Sequence, residues 1–170
     1  MRYPRCCILD QVGCAPMTNR LNVFVSYSHR DKAWLERVQV HLKPLARDGN
    51  LELWDDTRIK SGQRWRDKIK AALAQADVAI LLISADFYAS DFIAKNELPP
   101  LLESAQGEHG LVILGVHINY SDFANDTILS EYQTVNTPNE PIEDLGSRGQ
   151  QEKVFRDLAR RIRELAQPNP

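Results

Sequence analysis

Three stretches of this chain gather side chains able to do chemistry. Ser28-His29-Arg30-Asp31 follows a β-branched and aromatic run, Asn22-Val23-Phe24-Val25-Ser26-Tyr27. Where a strand hands over to a helix, the first backbone N–H groups lack partners and can receive an anion such as a pyrophosphate. Arg30 would add a charge there, which makes Ser28 and Arg30 candidate ligand contacts. The plainer reading is capping, with Ser28 as N-cap and Asp31 as a favourable first-turn acid. His29 could be a general base, but a single histidine with no catalytic motif around it reads as a surface residue. The second stretch, between Trp54 and Trp65, is a charged loop holding Asp55, Asp56, Arg58 and Lys60. Its plain reading is solvation. In the third, Glu97 stands in Asn96-Glu97-Leu98, with Phe92 about a turn earlier. By position alone Glu97 is a solvated helix glutamate, the usual fate of that residue.

Other chemistries lack their residues. There is no Gly-x-Gly-x-x-Gly for a redox dinucleotide, no P-loop and no His-Glu-x-x-His. His41, His109 and His117 are scattered and read as structural. Cys6, Cys7 and Cys14 all fall in the first fourteen residues with no further ligand at metal spacing, so free thiols are expected and no metal site. A net charge of -2 gives no basic field for nucleic acid or anionic lipid. Apolar runs such as Val78 to Ile83 and Leu111 to Val116 are far too short to span a bilayer. The expected organisation is a flexible leader over 1–20, one folded domain over 21–167 and a linker-like tail over 168–170. The leader has no sustained apolar stretch, Met17 is a candidate natural start, and a cytoplasmic location is the default expectation.

The elements that must position these residues alternate. Asn22 to Tyr27 predicts a first strand, and Asp31 to Ala46 a helix with Trp34, Leu35, Val38, Leu42 and Leu45 on one face. Leu51 to Trp54 is a short strand, and Gln63 to Ala76 a helix. Val78 to Ile83 is uninterrupted apolar, as a central parallel strand covered on both faces requires. Phe87 to Ala105 is helical in pattern but holds Pro99 and Pro100, which predict a break near Leu98 with Pro99 opening a second segment. Leu111 to Ile118 is a fourth strand, Tyr132 to Val135 a possible short one. Gln150 to Gln167 is a closing helix with Val154, Leu158, Ile162 and Leu165 inward. The pattern predicts an α/β fold: a flavodoxin-like doubly wound parallel sheet of about five strands with helices on both faces. Ligands of such sheets sit beyond the carboxyl ends of the strands, where strand order reverses. The loops Ser26 to Asp31, Asp55 to Gly62 and Ser84 onward all lie there.

Those loops carry a resemblance. Val23-Phe24-Val25-Ser26-Tyr27-Ser28, then Trp54-Asp55-Asp56 with Arg58, Ile59, Gly62 and Trp65, then Ser84 to Phe92 leading to Asn96-Glu97-Leu98, together resemble the TIR (Toll/interleukin-1 receptor) family in its bacterial, NAD-cleaving form. The resemblance covers about Asn22 to Ala166. Two positions depart from it. Ser61 precedes Gly62 where many members have Pro-Gly, and the receptor-type Phe-Trp pair is reduced to Phe155.

What the resemblance implies is an NAD+ nucleosidase, splitting the nicotinamide–ribose bond to leave ADP-ribose or a cyclic isomer. NAD+ would be substrate, with no resident cofactor. Glu97 would be the catalytic carboxylate, with Ser28, Arg30, Asp55, Arg58 and Phe92 as substrate contacts. The leaving group is a pyridinium that departs neutral, so no general acid is needed. One carboxylate suffices to steady the oxocarbenium-like sugar. The implied partners are copies of the chain, as a homo-oligomer or filament, and a sensor domain or separate activator, in anti-phage defence or signalling. The alternative is a non-catalytic TIR module that scaffolds through the loop after Trp54. A response-regulator receiver shares the architecture but needs acidic residues after the first strand, where Ser26-Tyr27-Ser28-His29 stands instead.

Overall fold

The computed structural model describes residues 20–55, 65–107 and 110–167. Its strands are β1 (Leu21–Ser26), β2 (Leu51–Trp54), β3 (Val78–Ile83), β4 (Val112–His117) and β5 (Gln133–Thr134). Its α-helices are α1 (Lys32–Arg47), α2 (Trp65–Ala74), α3 (Ala85–Tyr88), α4 (Leu98–Gln106) and α5 (Arg148–Ala166). All pairings are parallel, in the order β2-β1-β3-β4-β5. This is the flavodoxin-like doubly wound order, with its switch point between β1 and β3.

Side-chain parity divides the core in two. Val23, Val25, Ile80, Leu82, Leu114 and Val116 face α1 and α5, while Phe24, Leu81, Ile83 and Ile113 face α2, α3 and α4. Every residue of β3 is buried, which is why its sequence carries no polar alternation. α1 buries Leu35, Val38, Leu42 and Leu45 as its spacing predicts. Trp34 is half-buried against that core, its indole Nε1 donating to Glu143 at 3.3 Å.

One expectation needs correction. The inward stripe of α5 is Phe155, Leu158, Ile162 and Ala166; Leu165 is exposed and Val154 only half-buried. Leu158 and Ile162 are inward as predicted, and only the ends of the stripe move by one residue, Phe155 packing beside Trp34 and His41. The break expected near Leu98 is present, as a π turn over Ile93–Glu97, and Pro99 stands in the first turn of the second segment, α4. Asp31 stands in the first helical turn as expected, and there it is buried. Among the described residues, no helix is long and apolar enough to cross a membrane, and no His, Cys, Asp and Glu side chains group to hold a metal ion. The three cysteines, Met17, Asp56, Arg58, Lys60, His109 and the tail after Gln167 lie outside the described residues.

Candidate active site

Strand β1 ends in a serine where its neighbours on the same face are apolar. Ser26 shares the parity of Phe24 and is 1% exposed, so its hydroxyl must find a partner inside the protein. The partner is Glu97, whose Oε2 accepts the Ser26 hydroxyl at 2.5 Å. Glu97 is itself buried, 7% exposed, which sets aside its reading as a solvated helix residue.

The backbone before α4 explains how a helical glutamate turns inward. Pro99 and Pro100 have no N–H, and in one continuous α-helix their rings would collide with the carbonyls four residues earlier. The chain widens instead into a π turn, a feature found often at functional sites. There the Leu98 N–H donates to the carbonyl of Ile93, five residues back. Ile93 and Glu97 are both buried on this turn. The prolines then occupy the start of α4, where missing N–H groups cost least.

A second buried bond ties the two strand ends together. The Ser84 hydroxyl, just past β3, donates to Asp31 Oδ2 at 2.5 Å and accepts the Phe87 N–H at 2.9 Å. One serine therefore caps α3 and anchors the start of α1. Burial pushes the Asp31 carboxyl above its usual range, the Ser84 bond pulls partly back, and nearby Asp86 and Glu143 add to the rise.

Between these elements lies a cavity of about 530 Å³ at the carboxyl ends of β1 and β3, within the size range of small-molecule sites. Four sequence-predicted residues meet on its wall: Ser28, Arg30, Phe92 and Glu97. Ser28 is buried and also caps, its Oγ accepting the Arg30 N–H at 3.4 Å. The Arg30 side chain is exposed and its Nε lies 3.4 Å from Asp86 Oδ1 across the opening. Phe92 is half-buried against the core beneath. His29 is exposed on the same wall, stacked on Tyr27 at 5.9 Å.

Asp55 is not brought to this cavity. It is 2% exposed, accepts Gln39 Nε2 at 3.0 Å and lines a separate groove beside α1. A short side chain at the end of an edge strand, held by the neighbouring helix, cannot also face the switch point. Trp54 stacks on Phe24 with centroids 5.2 Å apart, packing that holds the end of β2 against β1. Sequence reasoning passed over Ser26 and Ser84. The signal was a serine inside or at the end of an otherwise apolar buried strand.

Comparison with known proteins agrees with this geometry. A family model described as TIR domain matches residues 23–146. A Sinorhizobium fredii protein, "Uncharacterized protein y4lF", is 35% identical over 92 residues, 54% of this chain; the match spans only 28% of that protein's own length. Among solved structures, the TIR domain of the Toll-related receptor TRR-2 from Hydra magnipapillata matches with a TM-score of 0.50 and 20% identity. That alignment covers 84% of this chain and 98% of the other, and at this identity the likeness is one of fold. The 2-1-3-4-5 parallel sheet, the switch-point cavity and a family match running from β1 past β5 converge on one conclusion: the chain belongs to the TIR domain family.

Proposed function

We propose that this TIR domain cleaves the nicotinamide–ribose bond of NAD+, with Glu97 as the catalytic carboxylate. The observation that carries the reading is a buried carboxylate on the wall of a cavity at the β1/β3 switch point. TIR domains include NAD-cleaving enzymes, and a module that only scaffolds has no use for such a carboxylate.

The residues divide the work. Heterolysis sends the C1′–N1 electron pair to the pyridinium nitrogen, which leaves as neutral nicotinamide, while positive charge grows on the ribose. Glu97 faces that charge and accepts hydrogen bonds from ribose hydroxyls, in a site sheltered enough for the interaction to count. Water then adds at C1′ and sheds its proton, giving ADP-ribose; attack by the substrate's own adenine gives the cyclic isomer. Arg30 meets the pyrophosphate by exchanging Asp86 for phosphate oxygens, with Ser28 beside it. Phe92 supplies an apolar wall for the nicotinamide. TIR domains typically associate with one another, and clustering by an activator or attached sensor is the expected trigger.

The test is nicotinamide release from NAD+ by purified protein over a range of protein concentrations. Turnover per molecule should rise steeply as the protein assembles. A protein that self-associates yet releases no nicotinamide at any concentration overturns the enzyme reading and leaves the scaffold.

A further inference from the structure

We infer that Ser26 is the positioning residue of the Glu97 carboxylate, fixing the direction from which it meets substrate; this rests on the NAD-cleaving reading above. The sheet supplies the rigidity. Ser26 pairs with Leu81 of β3, and the same strand pairs with β2 through Phe24 and Trp54, so its backbone is held from both sides. Glu97 stands on the π turn between two helical pieces, the less regular of the two supports. The 2.5 Å bond joins residues 71 apart in the chain and lies at the short end of hydroxyl–carboxylate bonds, which run about 2.5–2.7 Å.

Ser26 does not line the cavity, whereas Glu97 does. The hydroxyl therefore acts on the reaction only through the carboxylate. Losing it removes one of the bonds that orient a group whose direction matters in the transition state and leaves the binding walls unchanged. Such a loss falls on kcat and spares KM. A merely structural serine would act differently, reducing folded protein and leaving the kinetics of the remainder intact.

The experiment compares wild type, Ser26→Ala, Ser26→Thr, Glu97→Gln and the Ser26→Ala/Glu97→Gln pair, in NAD+ turnover and in the ¹³C carboxyl spectrum of glutamate-labelled protein. Ser26→Ala should lower kcat about 10- to 100-fold, as for loss of a hydrogen bond to a charged group, with KM within about twofold. Ser26→Thr should restore most of the rate, and Ser26→Ala should add nothing in the Glu97→Gln background. The Glu97 carboxyl resonance, identified by its loss in Glu97→Gln, should move in Ser26→Ala and return in Ser26→Thr. Unchanged kcat, or an unmoved resonance in folded Ser26→Ala protein, overturns the proposal. Absent turnover with the resonance moving as stated rejects the NAD reading and keeps the Ser26–Glu97 coupling.

Discussion

Replacing His117 by leucine separates one source of acid sensitivity from the rest of the fold. His117 closes β4, is 1% exposed and meets Phe123 edge-on with centroids 4.5 Å apart. Neither ring nitrogen has a hydrogen-bond partner among the described residues. Burial therefore disfavours the imidazolium and draws its pKa from 6.5 down to about 4. The unfolded chain then binds a proton between those values that the folded chain refuses. Stability is accordingly full above about 6.5 and falls as pH drops towards 4. Integrating the linkage over that window, the loss is negligible at about pH 7.5, about 1.4 kcal/mol near pH 5.5 and about 2.5 kcal/mol near pH 4.5. Urea unfolding of wild type and His117→Leu at these three pH values measures it. With no hydrogen bond to lose, the variant should match wild type within about 1 kcal/mol at neutral pH and exceed it by roughly 2 kcal/mol near pH 4.5. Parallel pH profiles for the two proteins would refute the reasoning.

Other perturbations probe the frame around the site. A Cβ at Gly115 would lie 2.9 Å from both Ile83 Cδ1 and Thr134 Cγ2, so Gly115→Ala should cost about 1–3 kcal/mol by overpacking and lower the Tm. Ser84→Ala strips partners from both the Asp31 carboxyl and the Phe87 N–H; thermal unfolding should register a loss of about 1–3 kcal/mol. Glu152 accepts Arg37 Nη2 at 2.7 Å and His41 Nε2 at 2.5 Å, clamping α5 to α1, and these bonds draw its carboxyl down to about 2. Its contribution is therefore present above about 4.5 and lost as pH falls towards 2. Glu152→Gln should cost roughly 1 kcal/mol at neutral pH, less in high salt, with the gap from wild type closing on acidification.

The strand–helix alternation was legible because buried parallel strands leave unbroken apolar runs, as at Val78 to Ile83, and helices leave a stripe, as along α1. The middle of the α5 stripe was legible, but at its ends Val154 and Phe155, and Leu165 and Ala166, are neighbours that both suit an apolar face, and only packing chooses between them. Pro99 and Pro100 announced a disturbance, but not that it would be a π turn, since a proline can equally kink or end a helix. The candidate carboxylate was named from its motif, while its partner Ser26 was hidden in the strand motif itself. A pairing across 71 residues leaves no local pattern. Asp55 shows the converse: a charged residue near the right loop that the edge strand and Gln39 hold elsewhere.

The most direct measurement is NAD+ cleavage by wild type and Glu97→Gln at equal, assembling concentrations, with far-UV circular dichroism confirming that both are folded. Glutamine keeps the shape and its amide oxygen can still accept the Ser26 hydroxyl, so the substitution removes the charge and turns one acceptor oxygen into a donor. The account predicts nicotinamide release by wild type and a fall of at least about 10²-fold in the variant. Equal rates in the two proteins would contradict it.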